Sequence, residues 1–165
     1  MTMEEMEKRL YELEQRQQVT EDLEAIRQLH YRYMNSFMKA EWDEVLKCFA
    51  DDCFLDVLPG SDPVKGIKEI EKVFKEILGK SHTSKEGDFV VHPIIQVNGD
   101  RAKGNWTMYM MWAHAATWEP LFWVQGAYDA EYIKQNGQWK FDSLKHRGRI
   151  GPRNDVRIKH PGYPW

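Results

Sequence analysis

A chain of 165 residues, 42% hydrophobic and 30% charged, has the length of one domain and the apolar area for one core, which excludes intrinsic disorder. Its net charge of −3 comes from interspersed charges of both signs, so no basic field exists to hold a phosphate backbone, and nucleic acid is excluded as a partner. No signal-like leader and no run of about 18 apolar residues is present, which predicts a cytoplasmic protein with no membrane partner.

The first predicted element is a charged leader helix over 1–19. Met6, Leu10, Leu13 and Tyr11 recur at helical spacing among Glu, Arg and Gln, a thin apolar stripe that fits either a subunit contact or a resting place on its own domain. Thr20, followed by Glu21 and Asp22, reads as the start of a second helix. Leu23, Ile26, Leu29, Tyr33, Phe37 and Met38 then step by threes and fours along one buried face. Residues 42–50 read as a short helix and 53–58 as a short strand. Cys48 and Cys53 lack the spacing of a redox or zinc pair and are expected as buried small hydrophobes. After the turn over 59–63, Ile67, Ile70, Val73, Phe74 and Ile77 mark a third helix of the domain, expected to close at Gly79.

Residues 80–88 are polar and turn-rich. Four strands are predicted next, over 89–97, 102–113, 121–133 and 138–146. Asn98-Gly99-Asp100 and Gln135-Asn136-Gly137 are hairpin turns, because Asn and Gly accept positive φ, so the strands they join are antiparallel. Residues 148–165 carry three prolines and several basic residues and are expected as an extended arm.

Two sequence patterns resemble those of a known superfamily. Ile95-Gln96-Val97-Asn98-Gly99-Asp100-Arg101-Ala102-Lys103-Gly104-Asn105-Trp106 is similar to the strand-turn-strand pattern of nuclear transport factor 2-like and SnoaL-like proteins. Gly126-Ala127-Tyr128-Asp129-Ala130-Glu131-Tyr132, with Asn136-Gly137-Gln138-Trp139-Lys140-Phe141, resembles their closing hairpin. The resemblance covers 20–147 and implies an α+β cone-shaped fold, three amino-terminal helices on a curved, mainly antiparallel sheet. That fold hosts dehydratases, isomerases and plain binding modules, so activity has to be argued from the pocket.

The nearest resemblance is to bile acid 7α-dehydratase-like members. It sets Tyr33 on the position of their catalytic tyrosine. Met110, which cannot ionise, stands where they carry a carboxylate. Their catalytic histidine has two candidates, His92 beside Pro93 and His82 further back. Asp56 is the nearest carboxylate to orient a histidine or act as a base. Alternation along the strand after Gly104 puts Trp106, Met108, Met110 and Trp112 on one face, and the resemblance turns that face inward, making a broad apolar wall that suits a flat hydrophobic ligand or a solid core. Tyr128 is implied as a pocket donor, and Arg147 or Arg149, at the end of the last strand, as a partner for a substrate carboxylate or a thioester's phosphates. His114 and the loop that follows it are candidates to cover the mouth.

No metal-ligand spacing, phosphate loop or GxSxG pattern occurs, so chemistry without metal or cofactor is expected. The resulting expectation is a lyase (dehydratase) or isomerase acting on a hydrophobic polycyclic or steroid-like carbonyl compound. The alternative is a non-catalytic binding or assembly module of the same fold. Either is expected as a homodimer or homotrimer.

Overall fold

The computed structural model describes residues 1–58, 61–82, 86–113, 116–117 and 119–151. Its first element, α1, is one helix over Met3–Met38, about 54 Å long. A reciprocal cap starts it: Thr2 Oγ1 accepts from the Glu5 N–H at 3.2 Å, and the Glu5 carboxylate accepts from the Thr2 N–H at 2.7 Å. The second start expected at Thr20 does not exist. That hydroxyl donates to the Arg16 carbonyl one turn back, at 2.9 Å, so it decorates a continuous helix instead of capping a new one. The leader and the first domain helix are therefore a single rod. Residues 1–21 are all exposed, so the leader half does not rest on its own domain.

Docking of α1 begins at Asp22, whose Oδ1 accepts from Lys134 Nζ at 2.7 Å and Trp139 Nε1 at 2.8 Å. Burial pushes the Asp22 carboxyl up, and the hydrogen bonds from Lys134, Trp139 and Gln18 more than offset it, leaving it below its ordinary value. Asp22→Ala strands a buried indole N–H and is expected to cost about 2–3 kcal/mol at pH 7. Because the folded carboxyl titrates low, the penalty should shrink below about pH 4, where wild type loses the same interaction. Urea unfolding at pH 7 and pH 3.5 measures both.

The helix α2 spans Trp42–Lys47, shorter than predicted, and the strand β1 starts early, spanning Phe49–Asp56. The Phe141 N–H donates to the Cys48 carbonyl at 2.9 Å, which draws the chain into the sheet ahead of the expected strand. Both cysteines are buried and free, and burial lifts the Cys53 thiol to about 12. A two-residue strand, β2, covers Val64–Lys65, and the third helix, α3, covers Ile67–Lys72. It continues as a π-helical stretch, Val73–Leu78, and a last turn, Gly79–Ser81. Gly79 does not end it. A Cβ there would meet the Phe74 carbonyl at 3.1 Å and the Trp42 indole at 3.3 Å, so this glycine serves close packing.

Four long strands follow: β3 over Phe89–Asn98, β4 over Arg101–Ala113, β5 over Pro120–Gln135 and β6 over Gln138–Ile150. Both predicted hairpin turns form, with positive φ at Gly99, Asn136 and Gly137. The six-stranded sheet has the order β2-β1-β6-β5-β4-β3, antiparallel except where β1 runs parallel to β6. The arm expected over 148–165 begins inside β6, and 152–165 lies outside the described residues, as do 59–60 of the predicted turn. Among the described residues no helix is long and apolar enough to cross a membrane.

The inner sheet face packs on α1 through Ile26, Leu29, Tyr33, Phe49, Phe74 and Phe141, all at most 2% exposed. One polar network lies among them. Trp106 Nε1 donates to the Tyr132 oxygen at 2.8 Å, which leaves the Tyr132 proton for His30 Nε2 at 2.6 Å. Burial drives His30 down to about 3, so it stays neutral.

Candidate functional site

Tyr33 and Phe37 emerge from the carboxyl half of α1 over a cavity of about 310 Å³, large enough for a small apolar molecule. Met110 and Trp112 of β4 form one wall, with Tyr128 of β5 and His146 of β6 beside them. The end of the third helix brings Leu78 and His82 to the rim. Shallower, more open depressions on the outer sheet face are walled by charges that pair with one another, such as Lys103 with Glu131.

The two tyrosines meet inside. Their rings approach edge to face with centroids 6.5 Å apart. Burial raises the Tyr33 hydroxyl well above its ordinary value and Tyr128 adds to it; burial likewise raises Tyr128, with the charge of Asp88 adding to it. Both stay protonated and can donate to an oxygen in the cavity.

Three acidic and basic groups come from the segment that the sequence presents as a polar loop. His82 Nε2 lies 3.5 Å from Glu86 Oε2, with the two side chains only 2% and 3% exposed. Glu86 bridges Trp112, and the Gly87 N–H donates to the Met111 carbonyl at 2.9 Å, so β3's register runs on beyond its formal start. Val90 pairs with Met108 and Glu86 with Trp112, which sets Asp88 directly across from Met110 on the same face. A carboxyl group thus lies across the strand pair from Met110. Asp88 is 4% exposed and neither of its carboxyl oxygens has a hydrogen-bond partner. Burial, with Glu86 adding to it, lifts this carboxyl to about 7.

His146 sits across β5–β6 from Tyr128, and their rings are 5.9 Å apart. Its Nε2 is buried without a hydrogen-bond partner. Burial lowers its pKa, while the charge of Asp56 acts in the opposite direction. Gly126 makes the room: a Cβ there would come within 2.6 Å of both that nitrogen and the Arg147 carbonyl.

Of the predicted site residues, the structure brings together Tyr33, His82, Met110, Trp112 and Tyr128. Others fall elsewhere. His92 is on the edge strand, at φ 51° in a bulge between Val91 and Ile94 that also accommodates Pro93, which has no N–H to pair, and it does not line the cavity. Arg147 is turned to the outer face, where it donates to Asp129 at 3.1 Å. Trp106 and Met108 face inward as alternation requires, yet both are fully buried in the core and do not line the cavity. Asp56 is half-buried at the end of β1, within electrostatic reach of His146 but outside the cavity wall. His114, expected at the mouth, lies outside the described residues. Glu86, Asp88 and His146 carry no recognisable pattern in the sequence; only the strand registers locate them.

The model of the SnoaL-like domain matches residues 18–145. Among curated proteins no sequence matches. The fold is similar to that of the Kfla4162 protein from Kribbella flavida, with a TM-score of 0.70, 17% identity, and 81% of this chain and 95% of that one covered. It is also similar to a provisionally named scytalone dehydratase from Novosphingobium aromaticivorans, with a TM-score of 0.69, 18% identity, and 84% and 94% covered. A protein of unknown function from Mycobacterium tuberculosis gives a TM-score of 0.66 at 21% identity, with 81% and 74% covered. At these identities the likeness extends to the fold alone, but the matched domain spans most of the chain, which therefore belongs to the SnoaL-like family.

Proposed function

We propose that this protein is a cofactor-independent lyase or isomerase that removes a proton next to the carbonyl of a hydrophobic, fused-ring compound. The observation that carries this reading is the buried His82–Glu86 pair in the wall of an apolar cavity that also holds Tyr33 and Tyr128. The Glu86 carboxylate, 3.5 Å from Nε2, stands where it stabilises the imidazolium that forms. The imidazole takes the α-proton, and the C–H electron pair passes into the carbonyl oxygen, where a tyrosine O–H holds the developing negative charge. In a dehydratase the enolate then collapses. It forms the new C=C bond and expels a β-hydroxyl, which leaves as water with the proton returned from His82. In an isomerase that proton returns to another carbon. The fold neighbour named for scytalone dehydration agrees with the first outcome.

The first step can be tested without knowing the natural substrate. A fused-ring ketone such as 2-decalone, incubated with the protein in D₂O, is expected to gain deuterium next to its carbonyl faster than in buffer, read by mass spectrometry. Seven apolar side chains among the twelve in the wall favour a second reading, a binding module for the same class of molecule. Saturable binding of the ketone with deuterium uptake at the buffer rate selects that reading. Neither binding nor uptake by a panel of such ketones removes both.

A further inference from the structure

We infer that the amino-terminal half of α1 is the strand of a parallel two-stranded coiled coil with a second copy of this chain. The inference is independent of the reaction proposed above. Residues 3–21 of this helix are exposed and project about 28 Å. Met3, Met6, Leu10 and Leu13 follow one another at steps of three, four and three, and are 39–68% exposed. This is the a/d spacing of a coiled-coil seam, with Met3, Leu10 and Gln17 at a and Met6, Leu13 and Thr20 at d. The pattern stops where the helix docks: the next a and d positions are Glu24 and Arg27, which pair with each other at 3.5 Å, while Ile26 and Leu29 turn into the core. The apolar stripe of the leader is therefore not a continuation of the core-facing stripe and needs its own cover.

The charges beside the seam identify the occupant. The e positions are Glu7, Glu14 and Glu21, and the g positions in the same stretch are Arg9 and Arg16. In a parallel pair each g side chain faces the e′ position five residues further on. That brings Arg9 to Glu14 of the other copy and Arg16 to Glu21, twice each. In an antiparallel pair g faces g′ and e faces e′, and every contact would be a like-charge repulsion. Within the chain, Arg9 and Arg16 have no ion-pair partner among the described residues, so these arginines are left available for the other helix. Gln17 at an a position meets its own copy, a polar pair that fixes the register.

Light scattering on the full chain across 5–100 μM is expected to give twice the chain mass. Leu10→Glu with Leu13→Glu should weaken self-association at least 100-fold and leave the domain's thermal midpoint unchanged. Arg9→Glu with Arg16→Glu should weaken it about 10-fold, as should Glu14→Arg with Glu21→Arg, and mixing these two chains should restore pairing. Met3→Cys should form a disulfide-linked dimer on mild oxidation, since parallel a positions are adjacent and the native cysteines are buried. A wild-type monomer at 100 μM, a Leu10/Leu13 variant of undiminished mass, or a dimer that Met3→Cys fails to cross-link overturns the proposal. So does a monomeric chain whose leader instead binds vesicles of anionic phospholipid.

Discussion

Asp88→Asn is expected to stabilise the protein by about 2–4 kcal/mol at pH 7, although the site is buried. The carboxyl is lifted from its ordinary 3.8 to about 7, because burial disfavours the charged form and the charge of Glu86 adds to it, outweighing the opposing influence of the Met111 backbone. The folded chain therefore holds a proton between pH 3.8 and 7 that the unfolded chain releases. Stability from this group is complete below pH 3.8 and drains away at about 1.4 kcal/mol per pH unit as pH rises through that window. Asparagine has no charge to desolvate, so the gain is largest at neutral pH and above and vanishes near pH 4.

His30 has the opposite sign. Its pKa is depressed from 6.5 to about 3, so the unfolded chain takes up a proton that the folded chain refuses, and stability falls as pH drops below 6.5. Between pH 3.8 and 6.5 the two slopes offset each other in the wild type. Asp88→Asn removes one of them, and its unfolding free energy should fall more steeply on acidification than that of the wild type, in which Asp88 offsets part of the loss from His30 and His146. Urea unfolding at pH 4, 5.5 and 7 reads this directly. A variant less stable than wild type at pH 7 means that the Asp88 carboxylate is paired in the folded protein, and the argument fails.

A buried acid at such a cost, within electrostatic reach of Tyr33 and Tyr128, marks a candidate functional position. How visible it is from the sequence depends on strand register. Alternation along β4 and the Asn-Gly turns are local properties, and from them the shared face of Met110 and Trp112 and the antiparallel hairpins were legible, while the family resemblance implied that this face points inward. The cross-strand partners were not, because bulges intervene. Counted straight back from the Asn136-Gly137 turn, Lys145 falls opposite Tyr128, and Arg147 shares the pocket face. The irregularity at Glu131 and Tyr132 inserts one residue, so His146 takes that place and Arg147 turns outward. A single extra residue thus exchanges a cationic pocket for an imidazole-lined one. The same kind of event in β3 takes His92 out of the ladder. Glu86 and Asp88 escape notice for another reason: a short acidic, glycine-containing segment has the composition of a loop, and only its pairing with β4 makes it the rim of a cavity.

His82→Ala is expected to lower deuterium uptake into the bound ketone by about 10³-fold, with ketone affinity changed less than about threefold. The imidazole is the group in the cavity wall with a carboxylate 3.5 Å away, and removing it leaves no other base so supported among the described residues. Tyr33→Phe should cost about 10²-fold by removing one donor to the developing oxyanion while keeping the ring that packs on Phe49, Phe74 and Phe141. Glu86→Gln keeps the shape and loses the charge, so it should slow uptake about 10–100-fold without abolishing it. The ordering separates chemistry from packing. A structural role for His82 would show as a drop in thermal midpoint and in affinity together, with uptake per bound ketone unchanged. Should His82→Ala exchange deuterium at the wild-type rate, the base lies elsewhere, and His146, whose buried Nε2 has no partner across from Tyr128, becomes the group to replace next.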